Sequence, residues 1–333
     1  MKYNKIISFL PSATEILFEI GLDDALKGVT HGCTYPIKAS SKPQIIYPSF
    51  DVNSLNSSEI DKKIRDLSIN NKPIFIIDSE KVKEIKPDLI ISQNLCEVCA
   101  PFSREIQQVI SFLGYTPRNL ELNPKNICDI FESIILIGQE TCNIQKAQHL
   151  VNRLTERIDW VKQKLKNIDM GKKVKKQKII CLEWVSPFYV AGHWVPQMVE
   201  LVDGINGIGK TSDLSKIVLI DDIVNFDPDK IIIMPCGFDL DKTCKEVTDL
   251  NKDKKWNSLK AVKIEETYVV NANSYFSKPS PRIVTGIEIL AKILHPDLFE
   301  ELKIPSDCFI KLKNYQSDKV MSSPFTQDPN TAL

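Results

Sequence analysis

The chain has 333 residues, 43% of them hydrophobic, and its 43 basic side chains balance 43 acidic ones. Such a length suits two lobes that each bury a core, and zero net charge excludes partners recruited by bulk electrostatics, namely nucleic acid and anionic membrane surfaces. No stretch approaches the roughly 18 apolar residues of a membrane span. The apolar run Ile6 to Leu10 falls short of the roughly 7–15 residues of a secretory hydrophobic region. With neither signal peptide nor lipid anchor readable, the N-terminus predicts a cytoplasmic protein whose nine cysteines are reduced thiols.

Residues 5–10, KIISFL, read as a strand. Ser12-Ala13-Thr14-Glu15 follows with capping-box spacing, so Ser12 is expected to cap a helix lined by Ile16, Leu17 and Ile20 and ended by Gly21. A brief strand from Leu26 runs into the loop THGCTYP, and the polar stretch 49–71 is helical around Ile60 to Leu67. Strands at 73–77 and 87–92 flank a short helix at 79–85; a helix at 102–113, an extended stretch at 116–122 and a helix at 125–138 complete the half. Strands alternating with helices predict a parallel α/β lobe.

From Asn143 to Ile168, Ala147, Leu150, Val151, Leu154, Ile158, Val161 and Leu165 recur at helical spacing with no glycine or proline between them. That helix is long enough to run from one lobe to the other and resists bending. The second half repeats the alternation, with strands at 178–184, 229–235 and 266–271 and helices at 194–203, 239–249 and 282–294. IKPDLIISQNLC at 85–96 and FDPDKIIIMPCG at 226–237 echo each other: Pro-Asp, an apolar strand, then a cysteine. The organisation expected is an N-terminal lobe at 1–142, a linking helix at 143–170, a C-terminal lobe at 171–312 and a polar, disordered tail at 313–333.

Ligands of parallel α/β sheets bind beyond the carboxyl ends of the strands. The loops there carry Ser12, His31, Cys33, Tyr35, Cys96, Cys99, Glu183, Trp184, His193, Trp194, Cys236, Phe238, Asp239, Asn273, Tyr275, Phe276 and Arg282. Thiolate and imidazole from His31, Cys33, Cys96 and Cys99 would suit zinc or iron, with Cys236 from the echoing strand as a further ligand. A redox dithiol at Cys96 and Cys99, a cysteine nucleophile, and plain burial of the thiols compete with that reading. The scattered Cys128, Cys142, Cys181, Cys244 and Cys308 read as small buried hydrophobes. The aromatic residues crowd the same strand ends and suit a large, flat, partly apolar ligand.

IISFLPSATEILFEIGL and the Pro-Asp strands resemble the solute-binding proteins of ABC importers for cobalamin and iron-siderophores, whose two α/β lobes are joined by one long helix. THGCTYP, QNLCEVCA, LEWVSPFYVAGHWVPQMVELVDG, PCGFDL and NANSYFSKPSPRIVTGIEILAKILHP resemble the blocks of the cobalamin-binding subset, over roughly residues 5–300. The resemblance implies a class III periplasmic-binding-protein fold with an interlobe cleft, no catalytic role and no required cofactor. It also implies an ABC permease as partner, and extracytoplasmic work at odds with the N-terminus. The ligand it implies is a corrinoid, cobalamin, covered by the cleft aromatics and bonded by Glu183, His193, Asp239, Asn273 and Arg282. Gly32 and Thr34 stand where relatives often carry acidic residues, which removes carboxylates from any metal site at that loop. The competing expectation is a cytosolic metal or haem-type binder using His31, Cys33, Cys96, Cys99, His193 and Cys236.

Overall fold

The structure, a computed structural model, describes residues 2–52, 54–93, 103–169 and 175–313. The N-terminal lobe runs β1 (Ile6–Ser8), α1 (Pro11–Glu19), β2 (Leu26–Thr30), β3 (Gln44–Pro48), α2 (Ser57–Ile69), β4 (Phe75–Ile77), α3 (Ser79–Ile85), β5 (Leu89–Ser92), α4 (Ser103–Leu113), β6 (Arg118–Glu121) and α5 (Ile127–Glu140). Helix α6 (Ile144–Asp169) follows. The C-terminal lobe runs β7 (Lys178–Val185), β8 (Phe188–Val190), α7 (Val195–Leu201), β9 (Ile205–Asn206), β10 (Lys216–Ile217), α8 (Ile220–Phe226), β11 (Lys230–Ile233), α9 (Leu240–Val247), α10 (Lys254–Ser258), α11 (Lys260–Lys263), β12 (Thr267–Val270), α12 (Ala272–Tyr275), α13 (Ile283–Leu294) and β13 (Phe309–Lys311).

Two sheets result, ordered β4-β3-β2-β1-β5-β6 and β10-β8-β7-β11-β12-β13, with β9 beside β7. Their centres are parallel, as the alternating pattern predicts, but β4, β8, β10 and β13 pair antiparallel, so both sheets are mixed. The turn Ser186–Pro187 is too short for a parallel crossover and closes β7 and β8 as a hairpin. Strand β3, inside a segment with no strand expected, and the edge strands of the second sheet are additions to the sequence reading.

The Pro-Asp echo is one local structure used twice. Helices α3 and α8 each end on a left-handed residue, Lys86 (φ 52°) and Asp227 (φ 48°), and proline prevents the helix from resuming. The aspartate that follows takes backbone N–H groups at the head of the lobe's first strand: Asp88 from Asn4 (2.9 Å) and Lys5 (3.1 Å), Asp229 from Lys178 (2.9 Å). Strands β5 and β11 then pair parallel with β1 and β7.

Helix α6 has 26 residues and is about 39 Å long at a rise of about 1.5 Å per residue. Ala147, Leu150, Leu154, Ile158 and Val161 are buried on it, in one apolar cluster that includes Ile16, Leu17 and Ile134 of the first lobe and Met198, Ile287 and Leu290 of the second. Burying each such Leu, Ile or Val contributes roughly 1.5–3 kcal/mol. Gly138 allows α5 to lie against α6, since a Cβ there would stand 2.4 Å from the Ala147 methyl.

Two arginines one turn apart clamp α6 to opposite lobes. Arg153 Nη2 donates to Glu19 of α1 at 2.9 Å. Arg157 donates to both carboxylate oxygens of Glu288 on α13 (2.9 and 2.6 Å) and to the Thr285 hydroxyl (2.8 Å).

Two expectations are corrected. Ser12 does not cap α1: the helix starts at Pro11 behind Leu10, with no side-chain cap, because proline at the first position supplies the helical φ and has no N–H to satisfy. Cys128 and Cys142 are exposed, on α5 and just past its end, while Cys181 and Cys308 are buried and Cys244 half-buried. The tail 314–333 lies outside the described residues.

Arg157→Met should lower stability to urea by about 1–3 kcal/mol, because Glu288, 7% exposed, would keep its charge without its cation. Arg153→Met, which removes an exposed pair, should cost less than about 1 kcal/mol. Equal effects would contradict the two-sided clamp.

Candidate functional site

The lobes meet at the carboxyl ends of their strands. Glu15, on α1 directly after β1, is buried and receives Arg282 from the residue preceding α13: Arg282 Nε to Oε2 at 2.9 Å and Nη2 to Oε1 at 2.5 Å. This two-bonded pairing matches the planar fork of guanidinium to both carboxylate oxygens. The Arg282 guanidinium carbon lies 4.0 Å from the centre of the Tyr35 ring and 5.8 Å from that of Tyr275, so rings of both lobes flank the cation. Beside this pair Lys278, in the loop after α12, donates to the Gly32 carbonyl of the other lobe at 3.3 Å. Burial pulls the Lys278 ammonium below the ordinary lysine range, with Glu15 opposing.

A second set of contacts joins α2 to the ends of β7 and α9. Trp184 Nε1 donates to the Ser57 carbonyl (3.1 Å), while Ser57 N–H and Oγ donate to Glu246 (2.9 and 2.5 Å). Glu246 thus adds a carboxylate from the opposite lobe at the positive end of α2, already capped by Asn56. Lys242 of α9 reaches the Val52 carbonyl (2.6 Å) with its ammonium 4.1 Å from the Phe238 ring centre, and burial lowers its pKa. The Phe238 ring in turn lies 5.3 Å from Trp184.

Other residues singled out in the sequence lie elsewhere or have structural partners. Trp194 is buried and donates from Nε1 to the Phe276 carbonyl (2.8 Å); Phe276, 1% exposed, belongs to the apolar cluster around α6. Ser12 is buried in the first turn of α1. Asp239 caps α9, accepting from Lys242 N–H (2.9 Å), and Asn273 N–H donates to the Phe238 carbonyl (2.9 Å). Glu183 accepts from the Ser215 hydroxyl. His193 stands in left-handed backbone (φ 52°) against Trp194, its pKa lowered by burial and by Lys125.

His31 is half-buried 6.0 Å from the Phe75 ring and burial lowers its pKa. Cys33 contacts the hydroxyls of Thr14 (3.1 Å) and Thr30 (3.4 Å), and burial pushes its thiol up against their pull. Cys236 follows β11, its N–H bonded to the Glu183 carbonyl (3.2 Å). Cys96 and Cys99 lie outside the described residues. Among the described residues no group of three or more His, Cys, Asp or Glu side chains comes together to hold a metal ion.

Sequence reasoning passed over Glu15 as a site residue, reading it only as a capping-box member, and did not single out Lys278, Ser57, Lys242 or Glu246. Each acts through a partner on the other lobe, so no local spacing reveals it. The position of Lys278 inside SKPSPR, between a strand end and a helix start, is the one signal available.

Two lobes on one long helix, with their polar and aromatic contacts gathered at the strand ends, agree with the family comparison. A periplasmic binding protein model matches residues 6–273. The chain belongs to the periplasmic binding protein family. It is 26% identical over 302 residues to the Bacillus subtilis protein YvrC, an uncharacterized ABC transporter substrate-binding lipoprotein, covering 89% of this chain and 82% of that one.

Among solved structures of the fold, a possible iron-binding periplasmic solute-binding protein from Staphylococcus epidermidis aligns with TM-score 0.65 and 22% identity, over 89% of this chain and all (100%) of its own. The periplasmic vitamin B12 binding protein BtuF of Vibrio cholerae aligns with TM-score 0.61 and 20% identity, over 87% and 96%. These matches overturn the expectation of a cytoplasmic protein: the family is periplasmic and the Bacillus subtilis relative is a lipoprotein. Reduced thiols can no longer be assumed on the ground of compartment.

Glu15→Ala should destabilise the protein by about 3 kcal/mol, because it strands the Arg282 guanidinium. Glu15→Ala combined with Arg282→Met should recover part of that loss in urea unfolding. A strictly additive double variant would show that the two groups do not act as a pair.

Proposed function

We propose that the protein is the solute-binding component of an ABC importer and holds a corrinoid, cobalamin, between its lobes without transforming it. The observation that carries this reading is the set of incompletely buried rings where the lobes meet. Tyr35, 43% exposed, belongs to the N-terminal lobe, and the half-buried Trp184 belongs to the C-terminal one. A macrocycle offers two flat, partly apolar faces to such rings and amide edges to polar groups such as Asp239, Asn273 and Arg282. Support also comes from the vitamin B12 binding relative and from the substrate-binding role in the name of the Bacillus subtilis protein. The partner in this reading is an ABC permease that receives the ligand.

Cyanocobalamin titrated into the purified protein, followed by the corrin absorbance band and by tryptophan fluorescence, should saturate at micromolar concentrations or below. Trp184→Ala should weaken binding about tenfold, the equivalent of about 1.4 kcal/mol. Absence of saturable corrinoid binding, with haemin or an iron chelate binding instead, would refute cobalamin as the ligand.

A further inference from the structure

Among the described residues, charge is not balanced where the floor of the site joins the lobes. Arg282 occupies both oxygens of Glu15, at 2.9 and 2.5 Å, so the one carboxylate in contact there among the described residues is committed to the guanidinium. Lys278 adds a second cation beside it, with Glu15 attracting and Arg282 repelling its ammonium. An ammonium has three donors. Among the described residues its hydrogen bond is the one to the Gly32 carbonyl, which at 3.3 Å is longer than the usual range for a nitrogen donor. Lys278 is also incompletely buried, so part of its surface remains open.

A long bond to a neutral carbonyl compensates a half-buried charge poorly. Proteins tolerate such costs at sites where a ligand completes the arrangement. Both elements that meet here, the loop after β2 with Gly32 and the loop after α12 with Lys278, stand at strand ends on opposite lobes, where ligands of this sheet type bind.

We propose that Lys278 is a specificity-determining residue that receives an oxyanion of the ligand, a phosphate or carboxylate, between the lobes. The anion is the counter-charge that the Glu15, Arg282 and Lys278 group lacks among the described residues. This inference rests on the interlobe binding reading and narrows it to ligands that carry a negatively charged substituent. A lysine serving only as a strut between the lobes would need its Gly32 bond for stability. A ligand-directed lysine is a burden until the anion arrives.

The test uses the full-length protein and Lys278→Met, which keeps the length of the side chain and removes the charge. Cyanocobalamin, which carries a phosphodiester, is compared with dicyanocobinamide, which lacks it; haemin is compared with its dimethyl ester. Lys278→Met should weaken binding of the charged member of a pair at least about tenfold and change that of the uncharged member less than about twofold. The pair that shows the effect identifies the anion as phosphate or carboxylate. Equal loss for both members of a pair would overturn the proposal.

Melting temperatures without any tetrapyrrole supply a second readout. Lys278→Met should melt no lower than the wild type, and inorganic phosphate at constant ionic strength should raise the melting temperature of the wild type alone. A variant that melts lower, or a phosphate effect common to both proteins, would make Lys278 a structural strut and overturn the proposal. If no tetrapyrrole binds, the corrinoid reading fails and the melting comparison still decides the role of Lys278.

Discussion

The apolar seam along α6 is the interaction on which the remaining structure depends. Leu150, Leu154, Ile158 and Val161 belong to one buried cluster with α1 and α5 of the first lobe and α7 and α13 of the second. Neither lobe can turn far from the other without exposing that surface. The clamps at Arg153 and Arg157 reinforce the seam from its two sides, and the helix contains no glycine or proline at which to bend. Consequently the strand ends of the two sheets are held at a set spacing. The Glu15–Arg282 pair, the Lys278–Gly32 contact and the Trp184–Ser57–Glu246 group all follow from that spacing.

Much of the fold is legible in the sequence because its determinants are local. The helical period of Leu150, Leu154, Ile158 and Val161 identifies α6, and the Pro-Asp pairs identify β5 and β11. What the pairs do physically, a carboxylate taking the N–H groups that open each lobe's first strand, becomes visible only when the strands are adjacent. Short edge strands such as β8, β10 and β13 escaped the sequence reading because they span two or three residues and owe their pairing to neighbours rather than to periodicity. Ser12 illustrates a local signal overruled by a stronger one: Ser-X-X-Glu has capping-box spacing, yet Pro11 starts the helix and Glu15 turns to an arginine far away in sequence.

The candidate site was legible in outline only. Strand-end logic brought Tyr35, Trp184, Phe238, Tyr275 and Arg282 into one region, and their contacts do run between lobes or toward them. Trp194 and Phe276 come from the same loops but point the chain's apolar surface inward, since a strand end lies as close to the core as to the cleft. Pairwise charge relations such as Glu15 with Arg282, or Ser57 with Glu246, join residues more than a hundred positions apart, and no spacing rule anticipates them. The compartment was misread for a simpler reason. An unremarkable N-terminus carries less information than kinship with a periplasmic family.

The α6 seam sets the distance between the lobes. Electron-spin distance measurement between genetically encoded labels at Lys62 on α2 and Lys245 on α9, exposed positions on opposite lobes, reads that distance. With the lobes so held, one narrow distance distribution is expected, nearly unchanged when cobalamin is added in excess. A ligand-free protein with a second, distinctly longer population that collapses on binding would contradict it.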